Sequence, residues 1–268
     1  MNRRSVRGGS QVIFIALWGI AVVLAPLASL LVASFAKSWF WPRLLPGEWT
    51  WNAWRDAVSP AGGLGEALAN SIGLATACAV LAVALALPAA QSLARLKGSM
   101  ARSLEGTLVV LSVLPPVILG SGTQVLFLLL GLSGTHLGVL LAHLMITLPY
   151  ATLILLGAVR LTDVRFELLA ASLGADARQR IRRVRIPMLW PSVGLALAFA
   201  FLISWGQYAL TLLVGGGRIS TLPTVVFAQI RSGDEGHAGV ASVLLSLPAL
   251  LLTPFLARRL ARIRPGAV

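Results

Sequence analysis

The sequence predicts an all-α membrane protein, a polytopic helical bundle with six transmembrane helices, and three observations support this. Of the 268 residues, 57% are hydrophobic and only 12% are charged, with a mean hydropathy of +0.85. Six segments are apolar over the roughly 20 residues that a helix needs to cross a bilayer. Basic residues concentrate on one side of these segments. A soluble domain of this length needs far more charge to cover its surface.

The six predicted spans follow one another along most of the chain. The first is too long for the apolar core of a signal peptide, which is typically about 7–15 residues, so we expect it to be retained. Pro26 is a candidate kink within it. The spans cover approximately residues 11–35, 67–90, 107–131, 138–159, 192–214 and 238–257.

Basic residues divide unevenly between the two sides of these spans. With the N-terminus inside, seventeen arginines and lysines fall on the inner side and five on the outer side. Positively charged loops remain cytoplasmic, so we predict a multi-pass membrane protein with cytoplasmic N- and C-termini. The net charge of +13 is therefore explained by topology, and nucleic acid is not expected as a partner.

The spans lack the groups with which a protein energises transport by itself. No Asp or Glu lies inside a span away from its edge, whereas ion-coupled transporters usually need ionisable residues there. His143 is the one buried titratable candidate, and a hydrogen-bonded packing role is its simpler interpretation. The sequence has no G-x-x-x-x-G-K-[ST] nucleotide-binding loop. We therefore expect a partner to supply the energy.

The sequence also predicts no catalytic, cofactor-binding or metal-binding residues. His136, His143 and His237 are scattered rather than spaced as metal ligands. No Ser/His/Asp set or carboxylate pair lies on one inner face. The single cysteine, Cys78, excludes a disulfide within the chain. We predict that the chain is not an enzyme and holds no cofactor.

A charged segment rich in small residues joins the fourth and fifth spans. Thr162 and Asp163 suit a helix N-cap, and residues 164–173 have the pattern of a short helix. Gly174 is suited to the left-handed corner that ends such a helix.

A second short helix is predicted after this corner. Asp176 can cap a helix over 177–184, Pro187 is expected to end it, and Pro191 is expected to begin the fifth span. Two short helices meeting at a glycine would form a knob that transmits force between a soluble protein and the bundle. The alternative is an amphipathic loop whose arginines only add to the excess of positive charge on the cytoplasmic side.

The stretch LLAASLGADARQRIRRVRIPMLWP, residues 168–191, resembles the cytoplasmic loop signature of permease subunits of binding-protein-dependent ABC importers. That signature is E-A-A, three residues, Gly, nine residues, an aliphatic residue, one more, and an aliphatic-Pro pair. Ala170 takes the second alanine, Gly174 the glycine, and Pro187 the proline, with Val184 and Ile186 at the aliphatic positions.

The same stretch departs from the signature at its start. Leu168 stands where the family has Glu, and Leu169 stands where it has the first Ala. Glu167 is one place early, which rotates its side chain by about 100° around a helix. The role of the family carboxylate therefore does not transfer directly to Glu167.

The resemblance extends beyond this loop. Residues 70–95 are similar to the family's core entry span, and residues 220–245 to the segment that leads into its last span. The resemblance implies a type I (MetI-like) importer fold with a five-helix core and an added first span. The implied parts are a cytoplasmic N-terminus (1–10), a first transmembrane helix with a periplasmic loop (11–66), a transmembrane domain (67–257) with its coupling loop at 160–191, and a cytoplasmic tail (258–268).

The resemblance also implies a location in the bacterial inner (plasma) membrane, together with the partners and the residues that meet them. The partners are two cytosolic ATP-binding subunits carrying ATP and Mg²⁺, a second permease subunit that is identical or homologous, a periplasmic or lipoprotein solute-binding protein, and the lipid bilayer. The implied ATPase-coupling residues are Glu167, Ala170, Ala171, Gly174, Ala175, Asp176 and Pro187.

The solute is less constrained by the sequence than the class of protein. The stretch SWGQYALTLLVGGGRISTLPT, residues 204–224, resembles importers for polyamines, thiamine, iron and phosphonate compounds. Prolines loosen helices and polar groups seek a cavity, although helix packing explains the same residues equally well. The candidate pathway-lining residues are Ser112, Pro115, Pro116, Ser121, Gln124, Ser204, Gln207 and Tyr208.

Two alternatives to the importer permease stay open on the sequence alone. One is a self-sufficient secondary transporter or channel, which would carry flux without an ATPase. The other is a membrane enzyme or assembly scaffold, for which loss of a product on replacing His143 would be diagnostic.

Overall fold

The computed structural model describes most of the chain, and the predicted cytoplasmic N-terminus (1–10) lies outside the described residues. These are residues 18–19, 21–22, 24–37, 39, 43, 45–59, 63–162 and 165–263, with side chains as far as 254. The chain separates into two compact units, one from Met1–Gly65 with Val225–Ser246 and the other from Glu66–Thr224 with Leu247–Val268.

Helices account for nearly all of the described structure. A two-residue antiparallel pair, β1 (Ala36–Lys37) with β2 (Glu48–Trp49), is the exception within the described residues. The helices are α1 (Leu24–Ala33), α2 (Asn52–Val58), α3 (Leu64–Leu93), α4 (Gly98–Val113), α5 (Pro116–Leu129), α6 (His136–Leu161), α7 (Arg165–Ser172), α8 (Ala177–Arg180), a π-helical turn (Ile181–Arg185), α9 (Ile186–Trp205), α10 (Ala209–Gly215), α11 (Leu222–Ser232) and α12 (Glu235–Ile263).

In the first unit, the residues after α1 pack around aromatic side chains. The Trp54 indole N–H donates to Ser34 Oγ at 3.2 Å, and the Phe35 ring meets the edge of Trp51 at 4.7 Å between centroids. In the same unit, His237 lies 3.2 Å from an Asp56 oxygen and 2.8 Å from an Asp234 oxygen. These contacts connect α2 to the start of α12.

Within the described residues, four helices are long and apolar enough to cross a membrane: α3, α6, the continuous helix Ala177–Trp205, and α12 over Glu235–Pro254. The pair α4–α5 makes a fifth span if it is counted as one broken crossing. The first predicted span, 11–35, lies partly outside the described residues, and its described part includes α1. The predicted helical membrane bundle is confirmed, and the last helix continues through 258–263, which was predicted as tail.

The third predicted span, 107–131, is not straight. α4 and α5 meet at an angle of 97°. Leu114 (ψ 131°) and Pro115 (ψ 132°) are extended between them. A residue before proline is disfavoured in the α region, and Leu114-Pro115-Pro116 places two such residues in succession. The two prolines therefore break the span, where the sequence prediction allowed only a loosened helix.

The expectations that Pro187 ends a helix and that Pro191 begins the fifth span are both wrong. α8 continues through the π turn into α9, so that Pro187 lies in the first turn of α9 and Pro191 lies inside it. An interior proline lacks an N–H and its ring clashes with the carbonyl four residues earlier. In the π turn the Ile186 N–H bonds to Ile181 O, five residues back, and this wider turn accommodates the proline.

The fifth predicted span, 192–214, is also divided. α9 ends at Trp205, residues 206–208 interrupt the helix, and α10 begins at Ala209. Gly206 N–H still bonds to Leu202 O, so the interruption is local.

The core of the second unit lies around α6, which contacts α4, α5, α9 and α10. One buried cluster includes Ala82, Ala86 and Ala90 of α3 with Ala196 and Ala200 of α9. Small residues let membrane helices approach closely, which explains why alanines occupy these positions.

Candidate functional site

The segment between α6 and α9 forms a sharp corner, and residues 165–187 are called the elbow from here on. α7 ends at Ser172, and Gly174 has a φ of +85°. The Ala175 N–H donates to Ala170 O at 3.0 Å, and the Gly174 N–H donates to Ala171 O at 3.0 Å. These two bonds define a Schellman motif, which satisfies the last carbonyls of a helix.

The second arm of the elbow starts at a capping box. Asp176 accepts the Gln179 N–H at 2.7 Å through Oδ1, and the Gln179 side chain accepts the Asp176 N–H at 3.3 Å. This reciprocal pair satisfies two donors at a helix start. Only four residues separate the two helical arms, and both helix ends are closed by specific hydrogen bonds, so the corner has a defined geometry.

A charge pair joins the two arms. Arg185 Nε lies 3.4 Å from Glu167 Oε1, and the two side chains are 15% and 25% exposed. Glu167, which is displaced by one position from the family pattern, therefore contacts the π turn of the same chain. Of the predicted elbow residues, Glu167, Ala170, Ala171, Gly174, Ala175 and Asp176 are brought together here, and Pro187 follows in α9.

The elbow also presents an apolar surface that the sequence analysis missed. Leu168, Leu169 and Leu173 of α7 and its end are 62%, 58% and 79% exposed. In the sequence, Leu168 and Leu169 stand out only as departures from the family signature. The signal available in the sequence was three leucines within six residues of a corner glycine, where no membrane span requires them.

Four of the eight predicted pathway residues lie at the two breaks in the helices. Pro115 and Pro116 form the α4–α5 bend, and Gln207 and Tyr208 lie in the α9–α10 interruption. α5 packs against α10. The structure therefore brings the helices that follow the two breaks together.

The serines and the glutamine among these residues differ in their surroundings. The Ser112 hydroxyl donates to Val109 O, while Ser112 O accepts the Tyr150 hydroxyl at 2.6 Å. The Ser121 hydroxyl donates to Val117 O at 2.8 Å. Gln124 is half-buried on α5. Ser204 is buried, so in this conformation its hydroxyl belongs to the network around His143.

A buried polar network connects α6 with both halves of the interrupted fifth span. His143, 1% exposed, has Nδ1 at 2.8 Å from Ser204 Oγ and Nε2 at 2.9 Å from Thr211 Oγ1. Thr211 gives its own proton to Gln207 O at 2.8 Å. Thr211 therefore accepts from Nε2–H, and Nδ1 accepts from Ser204, as in a neutral ring. His143 is a hydrogen-bonded packing residue, as its simpler interpretation predicted.

The family to which the chain belongs is shown by comparison with known proteins. Residues 80–263 match the family described as binding-protein-dependent transport system inner membrane component. The chain belongs to this family, the membrane-spanning permease subunits of ABC importers. It is a permease subunit and not an enzyme, and ATP hydrolysis is carried out by separate subunits.

Individual relatives and a solved structure agree with this assignment. The molybdenum transport system permease protein ModB of Mycobacterium tuberculosis is 33% identical over 252 residues, covering 88% of this chain and 89% of that protein. The spermidine/putrescine transport system permease protein PotC of Haemophilus influenzae is 24% identical over 242 residues, covering 89% and 93%. A crystal structure of a bacterial ABC transporter involved in alginate import has the same fold, with a TM-score of 0.70 at 16% identity over 96% of this chain and 98% of that one.

The importer interpretation of the sequence is thereby confirmed over the self-sufficient carrier. The match includes the elbow, the broken fifth span and α12, and it begins within α3. The protein is a multi-pass component of the inner membrane.

Proposed function

We propose that the elbow is where this permease receives its ATP-binding subunits. The observation that carries the proposal is an exposed apolar patch, Leu168, Leu169 and Leu173, on a corner whose geometry is fixed by hydrogen bonds. Exposed apolar patches mark interaction sites. The coupling residues are then Glu167, Ala170, Ala171, Gly174, Ala175, Asp176 and Pro187, with ATP and Mg²⁺ on the partner and no cofactor in this chain.

A matched pair of variants tests this attachment site. Leu173→Glu places a charge on the patch and should abolish co-purification of the ATP-binding subunit with the permease. Val58→Glu is the control, because Val58 is similarly exposed, at 85% against 79% for Leu173, but lies on α2. Normal ATPase co-purification with Leu173→Glu, or equal loss with both variants, would contradict an elbow docking site.

We propose that both termini are cytoplasmic, with the boundaries predicted from the sequence. The support is the excess of basic residues in the segments on one side of the spans. In this orientation the elbow faces the ATP-binding subunits, and a solute-binding protein meets the opposite side. Fusing green fluorescent protein to the C-terminus should give a fluorescent cell, and an alkaline phosphatase fusion should be inactive. The reverse pattern would place the elbow outside.

We propose that the solute passes beside the α4–α5 bend and the α9–α10 interruption, in a pathway completed by a second permease subunit, identical or homologous. Interrupted membrane helices are tolerated where the backbone is buried or lines a cavity. Ser112, Pro115, Pro116, Ser121, Gln124, Ser204, Gln207 and Tyr208 are the residues proposed to line it, with Ser204 requiring a rearrangement of the His143 network.

We propose that the solute is a small oxyanion of the molybdate kind. The support is 33% identity to a molybdenum permease over 88% of the chain. A second argument is electrostatic, because the spans hold no Asp or Glu away from their edges and a polyamine would cross without a counter-charge. Glu105, at one edge, is already paired with Arg160.

The choice between an anion and a polycation is tested with the intact transporter in proteoliposomes. Uptake of radiolabelled molybdate should require ATP and the binding protein, and excess tungstate should compete while spermidine should not. Spermidine-sensitive uptake without competition by tungstate would refute the oxyanion and leave the permease assignment intact.

A further inference from the structure

A groove of about 340 Å³ lies in the second unit where α3, α4 and α6 meet. None of its ten lining residues belongs to the elbow or to the predicted pathway. Seven are alanine or leucine, among them Ala89, Leu96 and Leu104, and the others are Ser92, Thr107 and Thr152. The volume is that of a small ligand site, and its walls are almost wholly apolar.

The two threonines do not make the groove polar. The Thr107 hydroxyl donates to Ser103 O at 3.0 Å, and the Thr152 hydroxyl donates to Leu148 O at 2.8 Å. A hydroxyl that donates to a carbonyl of its own helix has no proton left to donate to a ligand. The groove therefore offers little to a polar solute and suits a hydrocarbon chain.

Basic residues flank the groove where α3 ends and α4 begins. Arg95 and Lys97 are exposed on either side of Leu96, and Arg102 is exposed two residues before Leu104. None of the three forms a salt bridge within the described part of the chain. The acidic residue nearest in sequence, Glu105, is bound by Arg160 at 2.9 Å. An apolar groove thus has an uncompensated positive end.

We propose that this groove binds an anionic phospholipid, with an acyl chain along the leucines and the headgroup phosphate paired with Arg95, Lys97 and Arg102. A second copy of the chain is a poorer occupant, because its matching surface carries the same three cations. Basic residues near a membrane surface contribute about fivefold each to the affinity for anionic lipid. The proposal does not depend on the solute or on the orientation of the termini.

The steric part of the proposal is tested by native mass spectrometry of the intact transporter purified with phosphatidylglycerol. The unaltered protein should retain about one phosphatidylglycerol per permease chain. Ala89→Phe fills the groove and should lose it. Ala84→Phe is the matched control, because Ala84 is also exposed on α3 but does not line the groove. Equal retention by the two variants would overturn the site.

The electrostatic part uses a variant that leaves the groove open. Arg95→Gln with Lys97→Gln should weaken phosphatidylglycerol binding by about 25-fold and leave phosphatidylcholine binding unchanged. Arg218→Gln with Arg231→Gln removes two exposed cations elsewhere and should have no effect. Phosphatidylcholine retained as strongly as phosphatidylglycerol, or an Ala89→Cys crosslink to the second permease subunit, would refute the proposal. If Ala89→Phe fails to fold, this charge variant decides alone.

Discussion

The corner glycine of the elbow allows a prediction in which backbone conformation is separated from packing. Gly174 has a φ of +85°, and a Cβ added there would meet nothing within 4 Å. Any cost of substitution is therefore backbone strain. An L-residue in the left-handed region costs about 1–2 kcal/mol, whereas Asn adopts that region several-fold more readily than most residues.

We therefore expect a graded loss of coupling through Gly174→Asn, Gly174→Ala and Gly174→Val. A cost of 1–2 kcal/mol corresponds to a factor of about 5–30 in an equilibrium constant, so the Ala variant should bind the ATP-binding subunit about 5–30-fold more weakly. Asn should lose less than Ala, and β-branched Val should lose more. The assay is the affinity of the purified ATP-binding subunit for the permease in nanodiscs, with solute-stimulated ATP hydrolysis measured in parallel.

The control for this series is Gly106→Ala. Gly106 lies within α4 without a positive φ, and a Cβ there also meets nothing within 4 Å, so the substitution should be neutral or stabilise the helix by up to about 1 kcal/mol. Wild-type affinity for Gly174→Ala, or an Asn variant weaker than Val, would refute the conformational explanation.

Three further predictions concern other contacts of the described residues. Exchanging the charges of Glu167 and Arg185 should restore part of the ATP-driven uptake that either single charge reversal removes, with a coupling energy of about 0.5–1 kcal/mol in a double-mutant cycle. No recovery in the double variant would mean that the two side chains do not interact. His143→Leu should lower the free energy of unfolding of the purified transporter by about 1–2 kcal/mol, because Ser204 loses its hydrogen-bond acceptor, and His143→Gln should lower it less. A His143→Leu variant as stable as the unaltered protein would contradict the network. Gly239→Ala should destabilise the first unit by about 1–3 kcal/mol, because the added Cβ would lie 2.5 Å from the backbone N of Ser34. An unchanged melting temperature would show that Gly239 and the backbone at Ser34 are not in tight contact.

The parts of the structure that local chemistry determines were predictable from the sequence. A glycine followed two residues later by a capping aspartate predicted the corner at Gly174 and the helix start at Asp176, because both depend on hydrogen bonds within a few residues. Basic residues and apolar lengths predicted the membrane class, because bilayer thickness and the side preference of positive charge act directly on segments of sequence. The packing role of His143 followed from its isolation among apolar residues.

The parts that depend on how helices continue were not predictable in this way. Pro187 is a strong stop signal, yet the π turn before it lets the helix run on. The prolines at 115 and 116 predicted only a loosened helix, whereas α4 and α5 meet at an angle of 97°. The exposure of Leu168 and Leu169 depends on which face of α7 the bundle covers, and a single sequence carries little information about that.

The uninterrupted helix Ala177–Trp205 has a mechanical consequence. At about 1.5 Å per residue, its 29 residues form a rod roughly 43 Å long that begins in the elbow and ends beside the α9–α10 interruption. A tilt of only about 10° at the elbow would displace the far end by roughly 7 Å, more than one helical turn. A small movement at the elbow would thus be magnified where α9 ends at Trp205, and the π turn at Ile181–Arg185 and the interior Pro191 are the places where the rod could bend instead.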